Sequence, residues 1–144
     1  MHEHITRRKV EYVDTDMSGI VHFSRFLIYM ENAEHAFLKA IGTEVHFQDA
    51  EGREISWPRV AVSCDYRKPA RFGDTLEIRL HVVRKGVRSL TYGFDISCGG
   101  EILARGRSTC ACCVISDPSG IKAIPIPDEI ASQIEESPRR SGED

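Results

Sequence analysis

Two aspartates and a glycine stand close together near the amino terminus, in the stretch Asp14-Thr15-Asp16-Met17-Ser18-Gly19. Apolar residues at helical spacing follow this stretch, so the two carboxylates precede a helix. The start of a helix carries unpaired backbone N–H groups and a partial positive charge, which can stabilise the oxyanion of an acyl transfer. A carboxylate beside it can act as general base or nucleophile. The alternative is that Asp14 and Asp16 are ordinary loop or capping residues and Gly19 is only a turn.

The five cysteines are a second set of residues with possible chemistry, and three of them lie in Cys110-Ala111-Cys112-Cys113. On a strand, Cys110 and Cys112 share one face and Cys113 points to the other. Zinc sites usually contain a C-x-x-C knuckle, which this sequence lacks, so no metal site is predicted. The cysteines are better explained as small buried hydrophobic residues with reduced thiols.

Composition limits the class of protein. The chain has 144 residues, of which 41% are hydrophobic and 28% charged, with a net charge of -3. These values fit one globular domain, and the charge does not favour nucleic-acid binding. No apolar run is long enough to span a bilayer, and residues 1–8 lack the apolar stretch of a secretory signal. We therefore expect a soluble, cytoplasmic protein with no nucleic-acid partner.

The hydrophobic pattern predicts one long helix among several strands. Residues 5 to 13 alternate as a strand does, and the helical period runs from Ile20 or Ser24 to Ile41, where Gly42 ends it. Residues 43 to 58 look irregular. Period-two alternation then predicts four strands, around residues 60–66, 76–82, 90–98 and 102–115, and a short helix follows from Asp128 to Glu136. Residues 137–144 have no apolar anchor and are predicted to form a disordered tail.

This order of elements predicts an α+β domain. Short loops between the last three strands require an antiparallel meander, and together with the first strand they predict a five-stranded antiparallel sheet. The helix is apolar over a wide arc, since Ile28, Tyr29 and Ala36 fall outside its main stripe. The sheet must therefore curl around the helix to cover it.

Two stretches resemble the signature of the 4-hydroxybenzoyl-CoA thioesterase family, which are hotdog-fold acyl-CoA thioesterases. The first comprises Asp14-Thr15-Asp16, Gly19-Ile20-Val21, Phe23 and Phe26, and the second is Asp65-Tyr66-Arg67-Lys68-Pro69-Ala70-Arg71-Phe72-Gly73-Asp74. The similarity covers roughly residues 5 to 130. It implies a hotdog fold in a single domain, residues 1–136, with a long central helix wrapped by the curled five-stranded sheet. Residues 19–23 also resemble the branch that acts on 1,4-dihydroxy-2-naphthoyl-CoA in quinone synthesis.

The resemblance assigns roles to individual residues. The family's catalytic carboxylate matches Asp16, which attacks the thioester carbonyl or activates a water to do so. Backbone N–H groups around Val21, His22 and Phe23 would polarise the carbonyl oxygen. His22 stands where many relatives carry Tyr or Trp; it either donates a hydrogen bond or shapes acyl specificity, or it is a partly exposed helix-entry residue. No cofactor is implied, since coenzyme A is part of the substrate.

Other charged residues are weaker candidates. Some hotdog thioesterases use a carboxylate of the central helix as base, so Glu31 is a second catalytic candidate, and Glu34 lies on the same helix. Arg84, Lys85 and Arg88 surround a glycine turn and could project into solvent to bind the phosphates of coenzyme A. Further candidates for this role are Lys68, Arg71, Arg105 and Arg107.

The predicted activity is hydrolysis of an acyl-CoA thioester to a carboxylic acid and coenzyme A. Two alternatives remain at this point. A hydroxyacyl-thioester dehydratase of the same fold would use His22 with Asp16, and a non-catalytic module would only bind acyl thioesters. Exposed sheet edges and the resemblance together predict a homodimer or homotetramer.

Overall fold

The long helix α1 spans Phe23–Ala40 in the computed structural model, which describes residues 1–138. His22 is its N-cap, and Gly42, with a φ of 88°, adopts the left-handed conformation that ends many helices. The buried side chains of α1 recur at three- and four-residue steps, and Glu34 lies among them. The helix predicted from the sequence is thus confirmed to within a few residues at its start.

Nine strands, a second short helix and a 3-10 turn at Tyr12–Asp14 make up the rest of the described regular structure. The strands are β1 Glu3–Lys9, β2 His46–Gln48, β3 Glu54–Ser56, β4 Arg59–Tyr66, β5 Thr75–Lys85, β6 Ser89–Cys98, β7 Glu101–Ala111, β8 Cys113–Val114 and β9 Lys122–Ala123, and the second helix is α2 Asp128–Ala131.

The main sheet is five-stranded and antiparallel, in the order β1-β5-β6-β7-β4. Strands β5, β6 and β7 form the predicted meander, and β4 and β1 are the two edges. One face of the sheet packs on α1, with Leu80, Tyr92, Phe94 and Ala104 buried beneath the helix. This long helix against a curled antiparallel sheet confirms the predicted hotdog architecture.

The structure differs from the predicted elements in two early segments. The first strand ends at Lys9 rather than at residue 13, because Asp14 draws residues 12–14 into a 3-10 turn that begins after Glu11. Residues 43–58 are not wholly irregular, since β2 and β3 form a small hairpin. Three-residue strands with one fully buried residue, Ile55, give too short an alternation to be recognised.

The later segments also depart from the prediction. The strand predicted over 102–115 breaks at Cys112, and β8 joins the second sheet, whose order is β2-β3-β8-β9. Helix α2 is shorter than predicted. In the predicted tail, Ser137 donates a backbone hydrogen bond to the Val82 carbonyl at 2.8 Å, while residues 139–144 lie outside the described part of the chain.

One close approach brings α1 onto β7. A Cβ at Gly106 would lie 2.5 Å from Met30 Sδ, so only glycine accommodates the methionine in its present position. Within residues 1–138, no helix combines the length and the apolar character needed to cross a membrane.

Candidate active site

The two stretches that carry the family resemblance contact each other in the structure. The Val21 N–H donates to the Ala70 carbonyl at 2.8 Å, and Ile20 forms an isolated antiparallel bridge with Arg71. Ala70 is itself fully buried. The later stretch therefore fixes the path of the loop that leads into α1.

Asp14 is the structural carboxylate of this loop. It is only 1% exposed, and its Oδ2 accepts a hydrogen bond from the Glu11 N–H at 2.9 Å. Arg8 Nη2 lies 3.7 Å from Oδ2, and Arg25 Nε lies 3.8 Å from Oδ1. Burial and the adjacent carboxylate of Asp14 raise the pKa of the Tyr29 phenol. Two guanidinium groups thus compensate one buried carboxylate, which ties β1, the loop and α1 together.

Asp16 has the opposite environment. Its side chain is exposed, and only its Oδ1 accepts a hydrogen bond from within the described residues, from the Ser18 N–H at 2.8 Å. The backbone around it is a tight turn: the Gly19 N–H donates to the Asp16 carbonyl, and the Asp16 N–H donates to the Ile20 carbonyl. Gly19 has a φ of 76° with open space where a side chain would be, so the turn requires glycine for its backbone conformation. The turn leaves the Oδ2 of Asp16 accessible.

The backbone N–H groups at the start of α1 are not equally available. The N–H of Val21 is engaged by Ala70, and that of His22 donates to the Asp14 carbonyl at 2.8 Å. These two residues therefore cannot supply the oxyanion donors assigned to them, since a bound carbonyl would have to displace structural hydrogen bonds. The N–H of Phe23 donates to no other group among residues 1–138. The donor role of Phe23 therefore stays a prediction, and the Tyr66 hydroxyl donates a hydrogen bond to the Phe23 carbonyl at 2.8 Å.

His22 is an exposed N-cap. Its Nδ1 accepts a hydrogen bond from the Ser24 N–H at 3.3 Å and lies 2.7 Å from Ser24 Oγ. The ring stacks on Phe23, with the ring centroids 4.4 Å apart. Because Nδ1 is an acceptor, the neutral ring carries its proton on Nε2. His22 therefore lies at the entry to α1, and its Nε2–H group can still donate a hydrogen bond.

The carboxylates of α1 lie away from this loop. Glu31 is exposed, and about 12 Å of helix axis separates it from Phe23, since each helical residue adds 1.5 Å. Its Oε2 lies 4.0 Å from Nη2 of Arg59 on β4. Glu34, only 1% exposed, is paired with the same guanidinium. The structure does not bring Glu31 to Asp16; it places both glutamates beside Arg59.

Glu34 is the titratable group with the most unusual environment. Burial raises the pKa of its carboxyl to about 7, although Arg59 acts in the opposite direction. The nearby carboxylate of Glu31 raises the pKa of Glu34 further, because the two like charges share one guanidinium. The buried Tyr92 hydroxyl also has a pKa raised well above its ordinary value, chiefly by burial and also by Cys110 and Glu34.

The basic residues predicted to bind coenzyme A divide into two groups. Arg84 and Arg88 are exposed at the β5–β6 turn, as expected. Lys85 is not available there, because its ammonium donates to the carbonyls of Ala131 at 2.6 Å and Ile134 at 3.0 Å. The further candidates are all exposed, namely Lys68, Arg71, Arg105 and Arg107. Two of them are already paired, Lys68 with Glu101 and Arg105 with Asp95 at 3.2 Å.

The cysteines have no metal partners in the described part of the chain, where no three His, Cys, Asp or Glu side chains converge. Cys110, Cys112 and Cys113 are all buried and unpaired. The predicted burial holds for these three cysteines, whereas Cys64 and Cys98 are only partly buried. Burial raises the pKa of the Cys112 thiol to about 11, so this thiol stays protonated at neutral pH.

Sequence reasoning did not identify two residues that shape these sites, and it gave too little weight to two others. Arg59 and Ser108 give no motif, since their positions beside Glu34 depend on strand pairing. Tyr66 was noted as a strand residue and for the family resemblance, and the structure shows that its hydroxyl donates a hydrogen bond to the Phe23 carbonyl. Glu34 had a usable indication: it lies four residues after Met30 and three before Phe37, inside the apolar stripe, where a carboxylate must be buried.

The chain belongs to the thioesterase-like superfamily, whose sequence profile matches residues 10–134. Over 112 residues it is 27% identical to a putative acyl-CoA thioesterase of Bacillus subtilis, YneP, covering 76% of this chain and 80% of that protein. Over 106 residues it is 26% identical to a 1,4-dihydroxy-2-naphthoyl-CoA hydrolase of Synechococcus elongatus, covering 74% and 78%. The structure of a Thermus thermophilus protein, TT1821, superposes with a TM-score of 0.78 at 32% identity, covering 90% and 95%. The predicted class of reaction, thioester hydrolysis, is confirmed by these relationships.

Proposed function

We propose that the protein hydrolyses acyl-CoA thioesters with Asp16 as nucleophile or general base. The observation that carries this proposal is the pairing of an accessible carboxylate with an unengaged helix N–H, both fixed by one short loop. A thioester carbonyl that accepts a hydrogen bond from the Phe23 N–H develops its negative charge at the positive end of α1. The free Oδ2 of Asp16 then either attacks the carbonyl carbon or removes a proton from the attacking water.

Within the superfamily, we propose a relationship to the 4-hydroxybenzoyl-CoA thioesterase family. Its support is the Asp14-Thr15-Asp16 signature and the contact between the two resembling stretches. The Synechococcus relative, by its name, acts on a hydroxylated aromatic acyl-CoA. An aromatic acyl-CoA is therefore the first substrate class to assay. His22, an N-cap with Nδ1 engaged, gives no support to a dehydratase that needs a His–Asp pair.

Release of free thiol from acyl-CoAs tests the activity. The panel should contain aromatic, short-chain and long-chain acyl groups, with wild type and Asp16→Asn measured side by side. Asp14→Asn is not a matched control, because Asp14 is structural; Asp65→Asn, an exposed change on β4, serves better. A wild-type protein that binds acyl-CoAs without releasing thiol from any of them would support the non-catalytic alternative.

We further propose that the protein is a homodimer that pairs along β4. Strand β4 is an edge of the sheet, yet it exposes apolar side chains, with Val60 65% and Val62 45% accessible. The opposite edge, β1, exposes Arg7 and Lys9, charges that protect an edge from pairing. Two copies of β4 related by a two-fold axis would pair antiparallel, so the Tyr66 end of one meets the Arg59 end of the other.

Light scattering at assay concentration tests the dimer. Wild type should have twice the chain mass or a multiple of it, and Val62→Lys should shift the population to monomer while Ile5→Lys on β1 should not. A wild-type monomer with full activity would contradict this arrangement.

A further inference from the structure

Two hydrogen bonds attach the start of α1 to the end of β4 and the loop that follows it. The Val21 N–H donates to the Ala70 carbonyl at 2.8 Å, and the Tyr66 hydroxyl donates to the Phe23 carbonyl at 2.8 Å. They hold the residues on either side of the N-cap, His22. The entry of α1 is therefore fixed against the sheet, and one of the two attachments is a side chain that can be removed by substitution.

The backbone of Phe23 has little else to restrain it. Its side chain is 65% exposed and stacks on the exposed ring of His22, so packing in the core does not hold it. Its N–H, the proposed donor to the thioester oxygen, has no partner within residues 1–138. Helix ends fray, because their first N–H groups lack intrahelical partners. The Tyr66 hydroxyl thus restrains the residue on which the proposed oxyanion contact depends.

The peptide that carries this N–H is held on its other side by backbone hydrogen bonds. The His22 N–H donates to the Asp14 carbonyl at 2.8 Å, and the Arg25 N–H donates to the His22 carbonyl at 2.9 Å. The His22 carbonyl lies in the same planar peptide as the Phe23 N–H, so these bonds set its direction from one side. Tyr66 sets it from the other. An N–H held on both sides is preorganised for an oxyanion.

Aromatic packing positions the Tyr66 ring. The ring lies edge-on to Phe26, with the centroids 5.2 Å apart and the planes at 81°. Phe26 is only 3% exposed and lies three residues after Phe23 on α1. Edge-to-face pairs at this distance are favourable. A packed ring therefore directs the hydroxyl to the Phe23 carbonyl.

The Tyr66 hydroxyl is suited to donating this bond and not to proton transfer. Burial, with the neighbouring Cys64 thiol acting in the same direction, raises the pKa of Tyr66 to about 12. The phenol is therefore neutral at physiological pH, and it has one proton to donate. That proton is engaged by the Phe23 carbonyl, so the hydroxyl would have to release the helix before it could act as an acid.

We propose that Tyr66 is a positioning residue, which aligns the Phe23 N–H with the thioester oxygen by holding the Phe23 carbonyl. This inference rests on the proposed function, since the alignment matters only if a thioester carbonyl binds at Phe23. Tyr66 acts through the backbone of Phe23 and does not touch the substrate. Its effect is greatest where negative charge develops, so it affects kcat more than KM.

Tyr66→Phe tests the hydroxyl, because it keeps the ring that packs on Phe26. With benzoyl-CoA, well below the melting temperature, kcat should fall about fivefold to thirtyfold, with KM within about twofold of wild type. Removing an oxyanion donor outright costs roughly a hundredfold or more, and here the N–H itself remains. Ser132→Ala is the matched control, since it removes a hydroxyl bond to the Glu129 carbonyl in α2. Equal kcat in Tyr66→Phe and wild type would overturn the proposal.

The leaving group separates positioning from acid catalysis. Benzoyl-CoA and the benzoyl thioester of 4-nitrothiophenol form the same kind of oxyanion, but the nitrothiophenolate leaves without a proton. If Tyr66 aligns the oxyanion donor, Tyr66→Phe lowers kcat/KM by the same factor for both substrates. A loss confined to benzoyl-CoA would make Tyr66 a proton donor to the leaving sulfur, and the proposal would be wrong.

An infrared measurement reports the alignment without turnover. S-Phenacyl-CoA carries a methylene between carbonyl and sulfur, so it cannot be hydrolysed as a thioester, and a carbon-13 label isolates its carbonyl band. An accepted hydrogen bond lowers the frequency of this band. The band should lie lower and be narrower in the wild-type complex than in the Tyr66→Phe complex, with Ser132→Ala matching wild type. A purely structural role would change the melting temperature but leave the bands of the two complexes identical, which would refute the alignment.

The two kinds of measurement distinguish this proposal from the proposed activity. A band difference between wild type and Tyr66→Phe, in a protein that releases no thiol from any acyl-CoA, would leave the alignment standing and refute hydrolysis. Thiol release that depends on Asp16, with identical bands and equal kcat in Tyr66→Phe, would support hydrolysis and refute the role of Tyr66.

Discussion

The loop before α1 and the middle of α1 each contain one buried and one exposed carboxylate, but they balance charge in opposite ways. In the loop, two arginines surround the single buried carboxylate of Asp14, and Asp16 is left free. In the helix, one arginine serves both Glu34 and Glu31. Burial alone therefore does not define a carboxylate's role. Asp14 Oδ1 and Glu34 Oε1 both lack a hydrogen-bond partner in the described structure. Two arginines surround Asp14 and make it a structural anchor, whereas Glu34 shares one arginine with Glu31, and burial together with the like charge of Glu31 raises the pKa of its carboxyl.

The largest effect is expected at the free carboxylate of the loop. Asp16→Asn should lower kcat at least about a hundredfold, the scale of lost acid–base or nucleophilic assistance. The unfolding free energy should change by less than about 0.5 kcal/mol, because the side chain is exposed. Steady-state thiol release and urea denaturation measure the two quantities. Near-wild-type turnover of this variant would remove Asp16 from the mechanism.

The buried carboxylate of the same loop should show the reverse pattern. Asp14→Asn leaves Arg8 and Arg25 without their counter-charge, which we expect to cost about 2 kcal/mol of stability, since both arginines retain some contact with water. Urea denaturation checks this value, with Asp65→Asn as the exposed control. Unchanged stability in Asp14→Asn would mean that the two loop carboxylates do not differ as described.

The raised pKa of Glu34 should make the stability of the protein depend on pH. The folded-state pKa of Glu34 is raised to about 7 from an ordinary 4.5, so between these values the folded protein holds a proton that the unfolded chain has released. The stability of wild type relative to Glu34→Gln should therefore fall as pH rises from 4.5 to 7, by at least about 1 kcal/mol, and stay level above. Arg59 and Glu31 act on the pKa of Glu34, and Glu34 in turn raises the pKa of Tyr92 and of Cys110; all four groups are common to both proteins. A pH-independent difference would contradict the raised pKa.

The smallest effect concerns the basic residues at the β5–β6 turn. Arg84→Ala or Arg88→Ala should raise KM for an acyl-CoA by a few-fold to about tenfold with little change in kcat, the pattern of lost uniform binding. The effect should shrink at high salt and vanish with a pantetheine thioester, which has no nucleotide. Lys85→Ala should instead lower stability by about 1 kcal/mol, since its ammonium donates to the carbonyls of Ala131, at the end of α2, and of Ile134. Equal loss on the truncated substrate would show that the arginines do not bind the nucleotide.

The sequence allowed prediction of those features that depend on local periodicity. The limits of α1, the meander and the position of the Asp16 loop follow from apolar spacing and from glycines, and these are confirmed. The partners of each charged side chain could not be predicted, because Arg59 meets Glu34 only through the pairing of β4 with β7. For the same reason Lys85 was expected in solvent, and the change of sheet at Cys112 was missed. The proposed catalytic roles stay predictions until they are assayed.

Gly106 controls, from outside its lining, the size of a cavity of about 160 Å³ that lies between α1 and the β4 edge of the sheet. The glycine lies behind Met30, whose sulfur occupies the space that a Cβ would take. Met30 is one wall of the cavity, and its flexible end can shift when pushed. A methyl group added at position 106 would thus drive the methionine forward and reduce the cavity without altering any polar atom in it. A substitution on β7 therefore changes the size of this cavity independently of the polarity of its lining.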